Sequence, residues 1–235
     1  MRKLKQIVAM GGGGFGDESY SPLLEDYILR LAKHRRPKIC FIATASGDAQ
    51  HNIDNFYKAF PKNRALASHL PLFSRQNAPE PAEHLLEQDV IYVGGGNTAN
   101  MMLIWRLHGV DRILRRAWNR GIILCGTSAG MNCWFEGCVT DSFGKLAALN
   151  DGLGILPGSA CPHYDGQADR RPTYLRLIAS KKLPAGFAAD DGAGMHFVGR
   201  KLHAAISSRP HARAFRMRRA GKTAVEESID VKYLG

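Results

Sequence analysis

The sequence has no apolar run approaching the roughly 20 residues that a membrane-spanning helix needs. Residues 1–10 pass straight into a glycine cluster without the cleavage pattern of a secretory signal. No membrane partner is therefore expected, and a cytoplasmic location is. Cysteine is scarce: Cys40, Cys125, Cys133, Cys138 and Cys161 are odd in number and lack paired C-x-x-C spacing, which argues against a disulfide framework or a zinc site. Reduced, mostly buried thiols are the expectation. Low-complexity segments, linkers and internal repeats are also missing. Acidic residues are outnumbered, 21 against 32 basic ones, giving a formal charge of +11. Such a surface attracts anions, but in the richest stretch, residues 209–222, Phe215 and Met217 alternate with Arg216 and Arg218, as on a strand with one solvated face. Nucleic acid is not an expected partner.

What is present is a core-forming composition, 45% hydrophobic and 23% charged over 235 residues, compatible with a single domain spanning 1–235. Apolar runs at residues 5–10, 38–43, 66–72, 90–93 and 121–125 read as strands, most of them ended by glycine-rich breaks. Helical patterns follow at 23–31, 53–60, 98–107 and 111–119. Strands alternating with helices imply parallel pairing through right-handed crossovers, with each strand buried on both faces. The predicted fold is a doubly wound three-layer α/β/α sandwich with a mostly parallel sheet. A helix near 174–179 and short strands at 194–198 and 202–207 read as later additions, the strands antiparallel at the sheet edge. In such sheets ligands bind beyond the carboxyl ends of the strands, where the glycine-rich breaks fall.

One break, Gly126-Thr127-Ser128-Ala129-Gly130, fits the nucleophile elbow G-x-S-x-G between a strand and a helix. A serine there sits on a sharp turn that tolerates only small neighbours, and a helix starting behind it aims N–H groups at the reacting oxygen. Capping that helix is the plain structural alternative. A serine hydroxyl needs a base to take its proton, and the base needs an acid to orient it. His163, in the loop Cys161-Pro162-His163-Tyr164-Asp165-Gly166, has the best setting of the nine histidines. Candidate acids are Glu136 and Asp141 before it and Asp165, Asp190 and Asp191 after it. Asp141, in a polar turn, is the first choice, though each could equally form a turn or a cap. Gly94-Gly95-Gly96-Asn97 offers bare N–H groups for an oxyanion. Residues 11–16 only loosely match the dinucleotide pattern G-x-G-x-x-G, and no G-x-x-x-x-G-K-[ST] phosphate loop occurs.

Together, Val93-Gly94-Gly95-Gly96-Asn97-Thr98, the elbow at Ser128 and Pro162-His163 resemble the peptidase E (aspartyl dipeptidase) and cyanophycinase family of serine peptidases over most of residues 5–200. The resemblance implies a class I glutamine amidotransferase-like (flavodoxin-like) fold, with Ser128 as nucleophile and His163 as base. It also implies an oxyanion hole from the N–H groups of Gly96 and Ala129, and an acid between Ser128 and His163. Asp141 best matches that acid. Residues 132–137 depart from the peptidase E pattern, and cyanophycinase-type relatives use glutamate, so Glu136 stays open. Asn97, Arg170 and Arg171 are the implied substrate-binding residues, one arginine forking onto the carboxylate of an N-terminal aspartate.

The expected partner is a small peptide, with no metal or organic cofactor and a monomeric or homodimeric state. Two other readings compete. An α/β-hydrolase-type esterase would take its base from His196, His203 or His211. A ligand-binding module of the same fold would leave Ser128 unreactive.

Overall fold

A computed structural model describes residues 4–15 and 21–235. In chain order the strands are β1 (Gln6–Met10), β2 (Lys38–Ile42), β3 (Leu66–His69), β4 (Val90–Val93), β5 (Ile123–Thr127), β6 (Gly137–Thr140), β7 (Ala147–Leu149), β8 (Ser159–Cys161), β9 (Gly186–Ala189), β10 (Ala193–Val198), β11 (Lys201–Ser207), β12 (Ala214–Ala220), β13 (Thr223–Ile229) and β14 (Val231–Tyr233). The α-helices are α1 (Leu23–Leu31), α2 (Gln50–Ala59), α3 (Pro81–Leu86), α4 (Thr98–Leu107), α5 (Val110–Asn119), α6 (Ala129–Asn132) and α7 (Arg170–Ala179).

Among the described residues an eight-stranded sheet runs in the order β14-β11-β10-β1-β5-β4-β2-β3. Its half from β1 to β3 is parallel throughout. Both faces of those strands are covered, so β1 and β4 bury every residue, which is why they read as unbroken apolar runs. β10 and β11 join antiparallel beside β1, as their short alternating sequences suggest. The sequence reading did not separate a six-stranded second sheet, β13-β12-β9-β8-β6-β7, built from strands of three to seven residues. On β12, Met217 is buried between exposed Arg216 and Arg218, the one-sided pattern expected of that basic stretch. One apolar cluster runs from Ile7, Ala9 and Val93 of the large sheet to Ala160, Ala189 and Ala214 of the second. The other face of the large sheet packs Val8, Met10, Phe41 and Tyr92 against Leu24 and Ile28 of α1 and Ile53 and Phe56 of α2. No helix among the described residues is long and apolar enough to cross a membrane.

Beneath this second face lies a buried acid. Glu25 on α1 is 1% exposed; Tyr92 donates to its Oε1 at 3.5 Å, and its Oε2 has no hydrogen-bond partner among the described residues. Burial pushes its carboxyl up from 4.5 to about 7, against the smaller opposing pull of its hydrogen bonds and of Arg64. A raised acid pKa means that the folded state holds the proton more tightly than the unfolded state, so stability falls as pH rises from 4.5 to about 7. Glu25→Gln is therefore expected to gain on the order of 3 kcal/mol relative to wild type between pH 4 and pH 8. Urea denaturation at the two pH values checks this, and a pH-independent difference would contradict it.

Candidate active site

The carboxyl ends of β1, β4 and β5 converge on Ser128. The residue has φ 57° and ψ −111°, a conformation rare outside glycine, and it immediately precedes α6. Ser128 N–H donates to Met10 O of β1 at 3.2 Å. Two residues on, Gly130 lies so close to β4 that a Cβ would stand 2.2 Å from Val93 O, so only glycine fits there. The G-x-S-x-G spacing is thus a packing requirement of the turn. Ala129 opens α6, so its N–H is one of the donors a helix start leaves unused. Neither it nor Gly96 N–H has a backbone carbonyl partner among the described residues. Gly95 lies against Ser128, its Cβ direction 3.2 Å from the serine Cβ.

His163, at φ 52° in the loop after β8, has its N–H anchored to Gly11 O at 3.1 Å. Its Nε2 is 2.8 Å from Ser128 Oγ, and its Nδ1 is 2.6 Å from Asp191 Oδ1. With Nδ1 protonated, His163 donates to Asp191 and Nε2 accepts from the serine hydroxyl, the tautomer proton abstraction requires. Asp191 follows β9 and is held at its backbone: its N–H donates to Asp165 Oδ1 at 2.9 Å, and Arg209 Nε donates to its carbonyl at 3.1 Å. Arg209 is also ion-paired with Asp165.

The glycine cluster after β1 is explained by the same pair. A Cβ on Gly12 would stand 1.8 Å from Asp191 Oδ1 and 2.5 Å from His163 Nδ1, so the bare backbone of residue 12 forms the wall on which histidine and acid meet. Gly12 also bridges to Asp191. The loose dinucleotide pattern has this role at Gly12; its last position, Gly16, lies outside the described residues.

The acid on His163 is thus Asp191, not the expected Asp141. Asp141 accepts from Arg170 at 3.1 Å, and Glu136 accepts from Gly158 N–H at 2.9 Å. Both belong to the margin of the second sheet, which turns them away from His163. Asp190 was as eligible as Asp191 in sequence, but its carboxylate accepts from Arg213 N–H at 2.9 Å. The residues expected to contact substrate each have partners within the chain. Arg170 is 3% exposed and donates to Asp141 and Gln167, and Arg171 pairs with Glu226. Asn97 caps α4, accepting from Asn100 N–H at 2.9 Å and donating to Ser142 O at 3.1 Å. His196, the alternative base, stands on β10 between Tyr27 at 2.8 Å and Gln6 at 3.2 Å, and burial lowers it to about 4.

A serine hydroxyl on a strained strand-to-helix turn, bonded to a histidine that is bonded in turn to an aspartate, is the arrangement of a serine hydrolase. Comparison narrows the class: the chain belongs to peptidase family S51, whose family model matches residues 7–205, and is a serine-type peptidase. It is 50% identical over 232 residues to YgaJ, an uncharacterized peptidase of Bacillus subtilis (strain 168), covering 99% of this chain and 100% of that one. Peptidase E of Actinobacillus pleuropneumoniae serotype 5b (strain L20) is 22% identical over 212 residues, covering 83% and 87%. Among solved structures, a peptidase from an acI-B1 actinobacterium shares the fold, with a TM-score of 0.75 at 15% identity and coverage of 98% and 96%.

The backbone at Ser128 favours a residue without Cβ, whatever its chemistry. Ser128→Gly is expected to be more stable than Ser128→Ala by about 1 kcal/mol. Both should be inactive, so denaturant midpoints isolate the strain; equal midpoints would show the turn to be relaxed.

Proposed function

We propose that the protein hydrolyses small peptides through Ser128, His163 and Asp191. The observation that carries this reading is the continuous chain of two hydrogen bonds, 2.8 Å from Ser128 Oγ to His163 Nε2 and 2.6 Å from His163 Nδ1 to Asp191. Ser128 Oγ attacks the scissile carbonyl while His163 takes its proton. The C–N bond of the tetrahedral intermediate then breaks, and His163 returns the proton to the departing amine. Water, deprotonated by the same imidazole, attacks the acyl-serine ester and releases the acid and the free serine. Asp191 keeps the imidazole in the required tautomer and stabilises the imidazolium. The N–H groups of Ala129 and Gly96 are the proposed donors to the oxyanion, in keeping with their positions at a helix start and a glycine-rich strand end.

The chain order Ser128, His163, Asp191 differs from the Ser, acid, His order of α/β-hydrolases, and His196 is engaged by Tyr27 and Gln6. Both points disfavour the esterase alternative. Cleavage of N-terminal aspartyl dipeptides, the finer expectation, has less support here, because Arg170 and Arg171 are ion-paired with Asp141 and Glu226.

Asp191→Asn is expected to lower kcat by about 10⁴-fold by favouring the wrong tautomer. Asp141→Asn should leave kcat near wild type and reduce stability, since it removes the negative charge paired with buried Arg170. Fluorophosphonate labelling of Ser128, read by mass spectrometry and lost in His163→Ala, tests the nucleophile independently of substrate. Folded wild-type protein that does not label would overturn the assignment and favour the ligand-binding module.

A further inference from the structure

Beside Ser128 and His163 lies a cleft of about 300 Å³, at the small end of the ~300–1,000 Å³ range of ligand sites and suited to one side chain. Its aromatic side is the partly exposed Phe15, underlain by Phe41 and Tyr92, which are 2% and 0% exposed, and Asn52 of α2 also lines it. The rings are held firmly. The Phe15 ring meets Phe41 edge-on at 5.5 Å and Tyr92 at 5.1 Å, and Phe41 stacks on Phe56 at 4.9 Å. Phe41 also lies against the backbone of Gly94, where a Cβ would stand 2.9 Å from its ring. No lysine or arginine is among the described residues lining the cleft.

We propose that this cleft selects an apolar, uncharged side chain next to the scissile bond, with Phe15, held in place by the buried rings of Phe41 and Tyr92, as its specificity-determining wall. The inference rests on the Ser128 peptidase reading and names its substrate class. A carboxylate entering the cleft would give up hydration and meet no lysine or arginine among the described residues lining it. Behind the cleft the Tyr92 hydroxyl donates to the acid Glu25 at 3.5 Å. The arginines that could have answered a carboxylate are engaged elsewhere: Arg170 with Asp141, Arg171 with Glu226, and Arg209, which lines the adjoining cavity, with Asp165. An apolar side chain meets the partly exposed Phe15 ring and releases water from it.

The test compares rates of Ser128 inactivation by three aminoalkyl phosphonate esters carrying leucine, phenylalanine or aspartate side chains, with a plain fluorophosphonate as the control for nucleophile reactivity. The leucine and phenylalanine reagents are expected to react at least about tenfold faster than the aspartate reagent, the discrimination a hydrophobic pocket delivers. In Asn52→Arg, a cation placed at the cleft should shift that ratio toward aspartate by about tenfold. Equal rates, or a faster aspartate reagent, in wild type overturn the proposal while leaving the peptidase reading intact. A shift in the opposite direction in Asn52→Arg also counts against it, and the wild-type ratio stands by itself if that variant does not fold. Failure of the plain fluorophosphonate to label Ser128 would instead remove the peptidase reading and the specificity with it.

Discussion

The site depends on how tightly the turn after β5 is pressed between its two neighbours. Ser128 is bonded through its N–H to the last residue of β1, while Gly130 rests on the last carbonyl of β4. Those contacts leave no room for the turn to relax, so the rare φ and ψ of Ser128 are imposed by the sheet and the hydroxyl is lifted clear of it. A strained conformation persists only where the surrounding structure over-determines it. Here the determinants are β1 and β4, parallel-sheet strands buried at every residue. The same two strand ends supply the other components: the loop after β4 brings Gly95 against the serine, and the loop after β1 brings Gly12 against the histidine and its acid.

Legibility in the sequence followed the range of the interactions. The buried parallel strands and the helices between them are written in contiguous residues, so the crossover half of the fold and the elbow could be read directly. The second sheet was harder, because strands such as β7 and β8 are three residues long and draw their order from pairing across the chain. Ser128 and His163 were legible because each sits in a local motif. Asp191 was not: it lies beside Asp190 in an unremarkable Ala-Asp-Asp-Gly turn, and only the direction of the chain leaving β9 decides that one carboxylate turns to Arg213 and the other to His163. One signal was available in the glycine cluster at residues 11–14. Its lack of an accompanying phosphate motif left a steric role as the remaining explanation, and a steric role requires a neighbour.

The excess of positive charge also has a different meaning in three dimensions. Many arginines serve as internal clamps. Arg170 ties the β6–β7 turn to α7 through Asp141, Arg171 ties α7 to β13 through Glu226, and Arg209 ties the loop after β11 to Asp165 beside the histidine. A guanidinium with five donors can hold a carboxylate and a backbone carbonyl at once, as Arg209 does. An arginine used in this way already holds a carboxylate of its own chain. Counting arginines downstream of the histidine therefore overestimates how many can read a ligand.

Arg209 illustrates the economy of this arrangement. It does not touch His163, yet it holds Asp165, whose carboxylate accepts the N–H of Asp191, and it donates directly to the Asp191 carbonyl. The acid on the histidine is thus fixed at its backbone on both sides, leaving its side chain one strong partner. An aspartate has only two side-chain torsions, so a fixed peptide confines Oδ1 to a few rotamers, and the hydrogen bond to His163 Nδ1 selects among them. Placing the acid on a short connection between β9 and β10, which belong to different sheets, makes the geometry of the hydrogen-bonded chain depend on how the two sheets pack. Substitutions in the apolar cluster they share, at Ala160, Ala189 or Ala214, would then reach Ser128 by moving Asp191, without contact with the serine.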